Sequence, residues 1–475
     1  MTPRHTHLGI LVLALISTIT ASFAAPLTLH QYLENVKTKH EGYIASKNSA
    51  EGSEARSKDS SLIFAPNLFF AANFLDDAKP TAVPAFMGTE TTNSTYTLGV
   101  SKMTNFGLLS KLYYLVSYTT IAGVSPTLLA VPTFYEARPV LEISQSLWKN
   151  GFGAEITAGT QAQEAQALAT SYGERYKSKM LLMQAEQYYW RLALARETVR
   201  VKRSGLERAQ RLKAYSDNRA RLELADKADV FQADAALQLR TMELQAALDE
   251  EHSAIRAFLS LLGTDGDAIT DELVDFSPEK FVAMDAPPRN KDREDVMAAR
   301  EGLRAAEAAY ELYLHKNKPT FDVTGSVALN GRDAAFGTAT GNSFQTSAPT
   351  YSIGLKLIAP LEFGLINSTR EGAFKERQAA ELNARRKTFE VEVEWTDLNN
   401  RLSQAKKRLE LVTNIERIQK NKLDHERERH KKGRSTTYQI LAFEQDYSQS
   451  EFGRIQTQAE ILTLVAQMKT FGSPQ

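Results

Sequence analysis

Alternation of apolar and polar residues marks short segments in two separate parts of the chain. In FDVTGSVALN, residues 321–330, apolar side chains occupy every second position over most of the run, and TYSIGLKL, residues 350–357, repeats the pattern. Four similar runs precede residue 150, with the sequences NLFFAANF, YTLGVSK, KLYYLVSY and PVLEISQ. Because successive side chains of a strand point to opposite faces, each run predicts a β-strand with one apolar and one polar face.

Two interpretations of these strands stay open on the pattern alone. An ordinary soluble sheet packs its apolar face on a core, whereas a membrane barrel turns that face to lipid and its polar face to a lumen. Aromatic residues near the strand ends favour the barrel: Tyr96, Tyr113, Tyr114, Tyr118, Phe134 and Tyr135.

Two long stretches, residues 161–219 and 367–430, contain no proline and little glycine, and they predict very long helices. At 1.5 Å per residue each would extend about 90 Å, more than one globular core can cover. In the second stretch an apolar seam with alternating spacings of three and four predicts a coiled coil: Trp395, Leu398, Leu402, Ala405, Leu409 and Val412. Beyond it, Ile415 and Ile418 lie out of register, so we expect the supercoil to change there.

Each long helix is followed by a short turn, at residues 222–227 and 431–435, and then by a second helix of about 35 residues. Each pair of helices predicts a helical hairpin with an exposed end. At the second turn, Gly433 is expected to end one helix as its C′ residue. Ser435 or Thr436 can cap the next helix.

Three segments recur in the same order in the two halves of the chain, which indicates a tandem duplication. EARSKDSSLIFAPNL parallels EAAYELYLHKNKPTF at an offset of 253 residues, and SLWKNGFGAEITA parallels PLEFGLINSTREGA at 214. LELADKADVFQADAALQ parallels KKGRSTTYQILAFEQDYS at 210. The drop from 253 to 214 places about 39 extra residues in the first copy, between Pro66 and Leu147. We expect an added β-hairpin there.

The chain therefore divides into four expected parts. Residues 1–25 resemble a signal peptide, with a basic start, an apolar core and small residues before a cleavage site. A retained membrane anchor is the alternative, disfavoured because the apolar run is short for a stable span. Residues 26–263 form the first repeat, 264–290 a linker or equatorial segment, and 291–475 the second repeat. The protein is expected to be exported.

Composition and motifs point away from catalysis. Acidic and basic residues number 57 each, so no global field favours nucleic acid. The absence of cysteine excludes disulfides and thiolate chemistry, and no phosphate-binding loop or G-x-S-x-G motif occurs. In HERERH, His425 and His430 are five residues apart, about 140° around a helix, and cannot share a metal on one face. We expect no enzyme activity, no cofactor and no metal site, and we interpret the basic residues 431–434 as a solvated hairpin end.

The strand count limits what one chain could do in a membrane. Four to six strands cannot close a membrane barrel, which needs at least eight, and open edges in lipid leave backbone groups unpaired. If these strands span a membrane, several copies must combine them. About four strands from each of three chains would give twelve.

Several motifs together resemble the TolC-type outer-membrane efflux family over nearly the whole mature chain. They are the duplication, the strand-to-helix junctions LEISQSLWKNG and APLEFG, and the hairpin turns ADVFQADAAL and KKGRSTTYQIL. The resemblance implies an α+β membrane protein in which a trimeric β-barrel continues into a long α-helical coiled-coil tunnel. It also implies an outer-membrane exit duct in a Gram-negative bacterium, with a large periplasmic portion. Its expected partners are a periplasmic adaptor and an inner-membrane pump for efflux or type I secretion.

The resemblance also assigns the two hairpin ends to adaptor docking and gating. The docking residues would be Leu222, Glu223, Leu224, Gly433, Arg434 and Ser435. Acidic positions that line the closed entrance in drug-efflux members correspond here to Gln439 and Ala442, so that acidic ring is not preserved. Asp229, Glu444 and Asp446 are expected to supply charge near the gate instead.

A soluble periplasmic coiled-coil scaffold or adaptor is the alternative function. It would explain export and the helices without a membrane channel. Adaptors, however, usually carry one hairpin between other domains and not two equal copies.

Overall fold

The fold was analysed in a computed structural model, which describes residues 27–125, 127–224, 226–264, 281, 285–290 and 292–472. The predicted signal peptide and most of the predicted linker lie outside these residues. The helices are α1 (Leu29–Lys39), α2 (Glu41–Ser57), α3 (Pro84–Met87), α4 (Ala154–Arg221), α5 (Lys227–Ser260), α6 (Glu294–Lys316), α7 (Phe336–Asn342), α8 (Phe363–Lys431) and α9 (Thr437–Lys469). The strands are β1 (Asn67–Asp77), β2 (Glu90–Met103), β3 (Leu108–Ala122), β4 (Thr133–Ser146), β5 (Thr320–Leu329), β6 (Gly331–Asp333) and β7 (Pro349–Ile358).

The predicted long helices are confirmed. α4 has 68 residues and α8 has 69, and both extend beyond the predicted bounds, mainly at their N-terminal ends. The returning helices α5 and α9 have 34 and 33 residues. None of the helices in the described ranges combines the length and the hydropathy that a membrane-spanning helix needs.

The strands form one antiparallel sheet in the order β1-β2-β3-β4-β5-β7, with β6 beside β4. β6 pairs with β4 in the same register as β5, and Asn330 separates the two, so β5 and β6 act as one interrupted strand. The sheet thus has six strand positions, and the expectation of about four per chain was too low. The added hairpin is the reason, because it extends the sheet: β2 pairs with β3 along its whole length, from Glu90↔Ala122 to Met103↔Leu109.

The register gives this sheet one face with most of its apolar residues and an opposite face that is more polar. Directly opposed residues of antiparallel strands share a face, and Phe70, Leu98 and Tyr114 are aligned across three strands. The same face carries most of the remaining apolar residues of the strands: Leu68, Phe74, Tyr96, Val100, Leu112, Val116, Tyr118, Tyr135, Leu141, Val327, Tyr351, Ile353, Leu355 and Leu357. The opposite face holds polar contacts such as the Lys111–Glu142 ion pair at 3.2 Å.

The chain forms two compact units, and each draws on both predicted repeats. The first comprises the described parts of residues 1–40, 184–285 and 404–463. Its core includes Tyr32, which stacks on Phe258 with ring centroids 4.1 Å apart and donates a hydrogen bond to the Phe258 carbonyl. This unit contains both turns between the paired long helices.

The second unit comprises the described parts of residues 41–183, 286–403 and 464–475, and it contains the whole sheet. Its helical part is organised around the almost fully buried Arg293. The Arg293 guanidinium donates to the Asp295 carboxylate at 2.7 and 2.8 Å and to Glu394 at 2.9 Å. It also lies 4.4 Å from the ring centroid of Phe471.

The coiled-coil seam of α8 continues farther than the sequence pattern predicted. Leu398, Leu402, Ala405 and Leu409 are buried, as expected. The expected loss of register at Ile415 and Ile418 was wrong, because the same spacing carries on through Glu416, Gln419, Leu423, Glu426 and His430. The last three are buried and the first two half-buried, whereas Ile415 and Ile418 are exposed. Four of these five seam positions are therefore polar, and the apolar Ile415 and Ile418 lie outside the seam.

Candidate functional site at the two hairpin ends

The turn between α4 and α5 forms a Schellman motif, which closes a helix with two backbone hydrogen bonds. The Leu224 N–H donates to the Arg219 carbonyl at 2.8 Å, and the Glu223 N–H donates to the Ala220 carbonyl at 3.1 Å. Glu223 adopts a φ of 53°, in the left-handed region. The Arg219 guanidinium donates to the Leu224 carbonyl at 2.7 Å. Leu222 and Leu224 therefore stand at the end of a locally closed turn, and both are largely exposed.

The turn between α8 and α9 repeats this arrangement. The Arg434 N–H donates to the Arg429 carbonyl at 2.9 Å, and the Gly433 N–H donates to the His430 carbonyl at 2.9 Å. Gly433 has a φ of 69°, and the Arg429 guanidinium donates to the Arg434 carbonyl at 3.2 Å. The prediction that Gly433 is the C′ residue is confirmed. At the first end the equivalent position is occupied by Glu223.

Side chains cap both returning helices. Asp226 accepts a hydrogen bond from the Ala228 N–H at 3.3 Å and caps α5. At the second end, Thr436 accepts from the Gln439 N–H at 3.3 Å, and the Gln439 side chain accepts from the Thr436 N–H at 3.4 Å. This reciprocal pair is a capping box. Gln439, assigned to the gate by resemblance, therefore also fixes the start of α9, and Ser435 donates to the same amide oxygen at 3.1 Å.

Two of the acidic residues assigned to the gate, Glu444 and Asp446, are paired with cations. The Glu444 carboxylate lies 2.9 Å from the Arg208 guanidinium and also contacts the Arg427 guanidinium. Asp446 pairs with Lys422 at 3.0 Å. Glu444 is largely shielded from solvent, whereas the Asp446 pair is exposed. The structure thus brings Glu444, but not Asp446, into a shielded contact between α9 and α4.

His430, near the end of α8, contacts the first helical hairpin. Its imidazole packs 5.0 Å from the Tyr215 ring, and the Tyr215 hydroxyl donates to the His430 carbonyl at 3.3 Å. Burial lowers the pKa of His430, and the positive charge of Arg219 lowers it further. The carboxylates of Asp229 and Glu426 oppose this shift in pKa. Asp229, at the start of α5, thus acts electrostatically on a residue at the end of α8.

A shielded network of ion pairs lies farther along α4, α8 and α9, and its residues were not predicted. Arg454 donates to the Glu416 carboxylate at 2.6 Å and lies 3.8 Å from Glu197. Arg208 reaches Glu451 at 3.5 Å, and burial raises the pKa of Glu451. The sequence signal for Glu416 was its position on the heptad spacing of α8. The other partners are distant in sequence and gave no such signal.

An open pocket of about 380 Å³ lies beside the first hairpin end. It is lined by Asp217, Ala220, Arg221, Lys227, Val230 and Phe231. Phe231 is 71% exposed. Together with Leu222 and Leu224, it gives this end an apolar surface next to charged side chains.

The chain is similar in fold to several solved outer-membrane proteins. The channel OprN superimposes with a TM-score of 0.63 at 14% sequence identity, over 93% of this chain and 89% of that chain. The outer membrane protein VceC of Vibrio cholerae gives 0.63 at 14% identity, over 94% and 96%. The open state of the MtrE channel of Neisseria gonorrhoeae gives 0.61 at 14% identity, over 94% and 89%. The chain has a TolC-type fold.

The TolC-type fold confirms the predicted fold class and the resemblance stated from the sequence motifs. No protein-family model matches the chain, and no curated protein matches it in sequence. At such low identity the structural likeness shows the fold. The roles of the hairpin ends are therefore proposals.

Proposed function

We propose that the protein is an outer-membrane exit duct that conducts substrates from an inner-membrane pump through the periplasm and the outer membrane. The observation that carries this proposal is a sheet with one continuous apolar face in the same chain as two helical hairpins of TolC-type fold. Lipid favours the apolar face, and the polar face suits a water-filled lumen. The duct conducts passively, and the partner pump supplies the energy.

The hairpin ends are proposed as the docking sites for a periplasmic adaptor. Both are closed by Schellman motifs, so their shape is fixed before a partner arrives, which lowers the entropic cost of binding. Leu222, Leu224 and Phe231 offer exposed apolar area at the first end. Arg434 and Ser435 offer polar groups at the second end, where residue 434 is exposed.

Gating is proposed to occur by movement of α9 away from α4 near these ends. The Arg208–Glu444 and Arg208–Glu451 contacts hold α9 against α4. Adaptor binding would open the duct by favouring the conformation in which these contacts are broken.

Membrane extraction tests the duct against the soluble scaffold. Export in a Gram-negative host, followed by osmotic shock and detergent extraction, should leave the protein in the outer-membrane fraction. Detergent should release it as a trimer that heating dissociates. Release by osmotic shock as a soluble monomer would refute the duct and support the scaffold.

The Gly433→Val substitution tests the role of the second hairpin end. Valine is strained at a φ of 69°, by about 1–2 kcal/mol, so the turn should change shape and export should fall while the yield of trimer stays unchanged. The measurement is growth of a complemented deletion strain on antibiotics, dyes and metal salts against which the unaltered gene protects. Gly173→Val is the matched control, because Gly173 lies inside α4 with open space around a Cβ atom. Unchanged export by Gly433→Val would contradict the assignment of this end.

A further inference from the structure

We infer that the β1 edge of one copy pairs with the β7 edge of the next, so that three copies form an 18-stranded barrel and not the twelve-stranded one expected from the sequence. The inference rests on the proposed duct function and specifies its partner surface as a second copy of this chain. It starts from the six strand positions of the sheet, of which β1 and β7 are the two outer ones in the described part of the chain.

Strand direction permits this closure. All neighbouring pairs are antiparallel, so β1, β3 and β5 run one way and β2, β4 and β7 run the other. Placing β7 beside β1 of a second copy continues the alternation without a parallel pair. The two edges also match in length, with 11 residues in β1 and 10 in β7.

The apolar face continues across the proposed contact. On β1 this face carries Leu68 and Phe70, and on β7 it carries Ile353 and Leu355. All four side chains are more than 60% exposed in a single chain. Their exposure at both outer strands indicates that the lipid-facing surface extends to each edge and does not end before it.

The β1 edge lacks the features that normally prevent strands from pairing with another chain. Exposed edges are usually blunted by lysine, proline or an inward-pointing charge. From Asn67 to Leu75, β1 contains no charged residue and no proline. Its unpaired backbone groups could not be satisfied by lipid, so in a membrane this edge requires another strand.

The β1–β2 hairpin is the feature that decides the strand number. If it lay outside the barrel, β3 would be the outer strand and three copies would supply twelve strands. However, β1 and β2 pair along the full 11 residues of β1, from Asn67↔Ser101 to Asp77↔Thr91. β2 is likewise paired with β3 along its whole length. The hairpin therefore belongs to the same sheet, and because barrel diameter grows roughly linearly with strand number, the barrel should be about 1.5-fold wider than one of twelve strands.

Cysteine cross-linking distinguishes the two closures, and the natural chain contributes no cysteine background. The first set of double variants combines Ile353→Cys with Leu68→Cys, Phe70→Cys or Ala72→Cys on β1. The second set combines Ile353→Cys with Leu112→Cys, Tyr114→Cys or Val116→Cys on β3. Three positions per strand sample different registers between copies, and all lie on the apolar face. The probe is a short bismaleimide applied to intact outer membranes.

We expect the β1 set to give covalent dimers and trimers. The β3 set should give monomers alone. Cross-linking by the β3 set alone would overturn the 18-stranded closure in favour of twelve strands, and the duct function would still stand if the protein remained in the outer membrane. Detergent-extracted trimers that neither set cross-links would also overturn the inference. Recovery of all variants and of the unaltered protein in the soluble periplasmic fraction would refute the duct function itself and the inference with it.

Discussion

The contact between Glu444 and Arg208 gives the sharpest test of the proposed gate. Replacing Glu444 by glutamine keeps the size of the side chain and removes its charge. Arg208 then loses its carboxylate partner at 2.9 Å and keeps the Glu451 carboxylate at 3.5 Å and the Ser204 hydroxyl at 2.8 Å. Arg427 also loses its contact with Glu444 and keeps Asp424 in an exposed pair.

The cost of this change follows from the shielding of the contact. The side chains of Arg208 and Glu444 are 9% and 12% exposed. Breaking a fully buried ion pair costs about 3–5 kcal/mol, but Arg208 keeps a second carboxylate and glutamine can still accept a hydrogen bond. We therefore expect a loss of about 1–3 kcal/mol, the usual cost of removing one partner of a shielded polar group. If the contact exists only in the closed conformation, the ratio of open to closed duct rises by about 5- to 150-fold.

Single-channel conductance in planar bilayers measures this ratio without knowledge of the cargo. Purified Glu444→Gln trimers should spend a larger fraction of time in a high-conductance state than the unaltered protein. Asp446→Asn is the matched control, because the Asp446–Lys422 pair is exposed and such pairs contribute about 0–1 kcal/mol. A Glu444→Gln duct with unchanged open fraction and unchanged trimer yield would refute the assignment of this contact to the gate.

Three further predictions follow from individual side chains. Glu223→Gly should raise the free energy of unfolding by at most about 1 kcal/mol, because glycine adopts a positive φ without strain. The midpoint of urea unfolding should rise accordingly, and a lower midpoint would contradict strain at Glu223. Arg293→Met should lower the free energy of unfolding by about 3 kcal/mol, because the buried Asp295 loses one of its two cationic partners and keeps Lys387. Arg300→Met removes an exposed ion pair and should lower it by less than about 1 kcal/mol. Burial lowers the pKa of His430, so the stability that depends on its neutral form is complete above the unfolded pKa of about 6.5 and is lost as pH falls through the folded pKa. The urea midpoint of His430→Gln should therefore fall less between pH 7.5 and 5.5 than that of the unaltered protein. Equal falls would exclude a contribution of His430 to the pH dependence of stability.

The sequence predicted the elements whose cause is local. A lack of proline over α4 and α8 and a period of two in the strands are properties of contiguous residues, so both were visible without coordinates. The positive φ of Glu223 was not visible, because glutamate gives no signal for a left-handed turn as Gly433 does. The contact of Arg208 with Glu444 joins residues 236 positions apart, and no periodicity connects them.

The seam of α8 shows a different kind of failure. The sequence prediction follows the apolar residues Ile415 and Ile418, which lie off the heptad spacing, and therefore expects a loss of register. The structure keeps the heptad spacing and places Glu416 and Gln419 on it. A polar residue at a seam position is the signal that could have revealed this. Glu416, one of these polar seam residues, is also part of the shielded ion-pair network, since it pairs with Arg454.

The pairing of β4 with β5 sets an order on the folding of the sheet. β1 to β4 are consecutive in the chain and can form by successive hairpins, whereas residues 147–319 separate β4 from β5. Contacts between distant segments form slowly because the entropy of closing the intervening chain opposes them. A four-stranded intermediate with an exposed apolar face and an open β4 edge should therefore precede the complete sheet. Such an intermediate is prone to aggregate, so folding of this protein should depend on chaperones that shield the exposed strands until β5 and β7 pair.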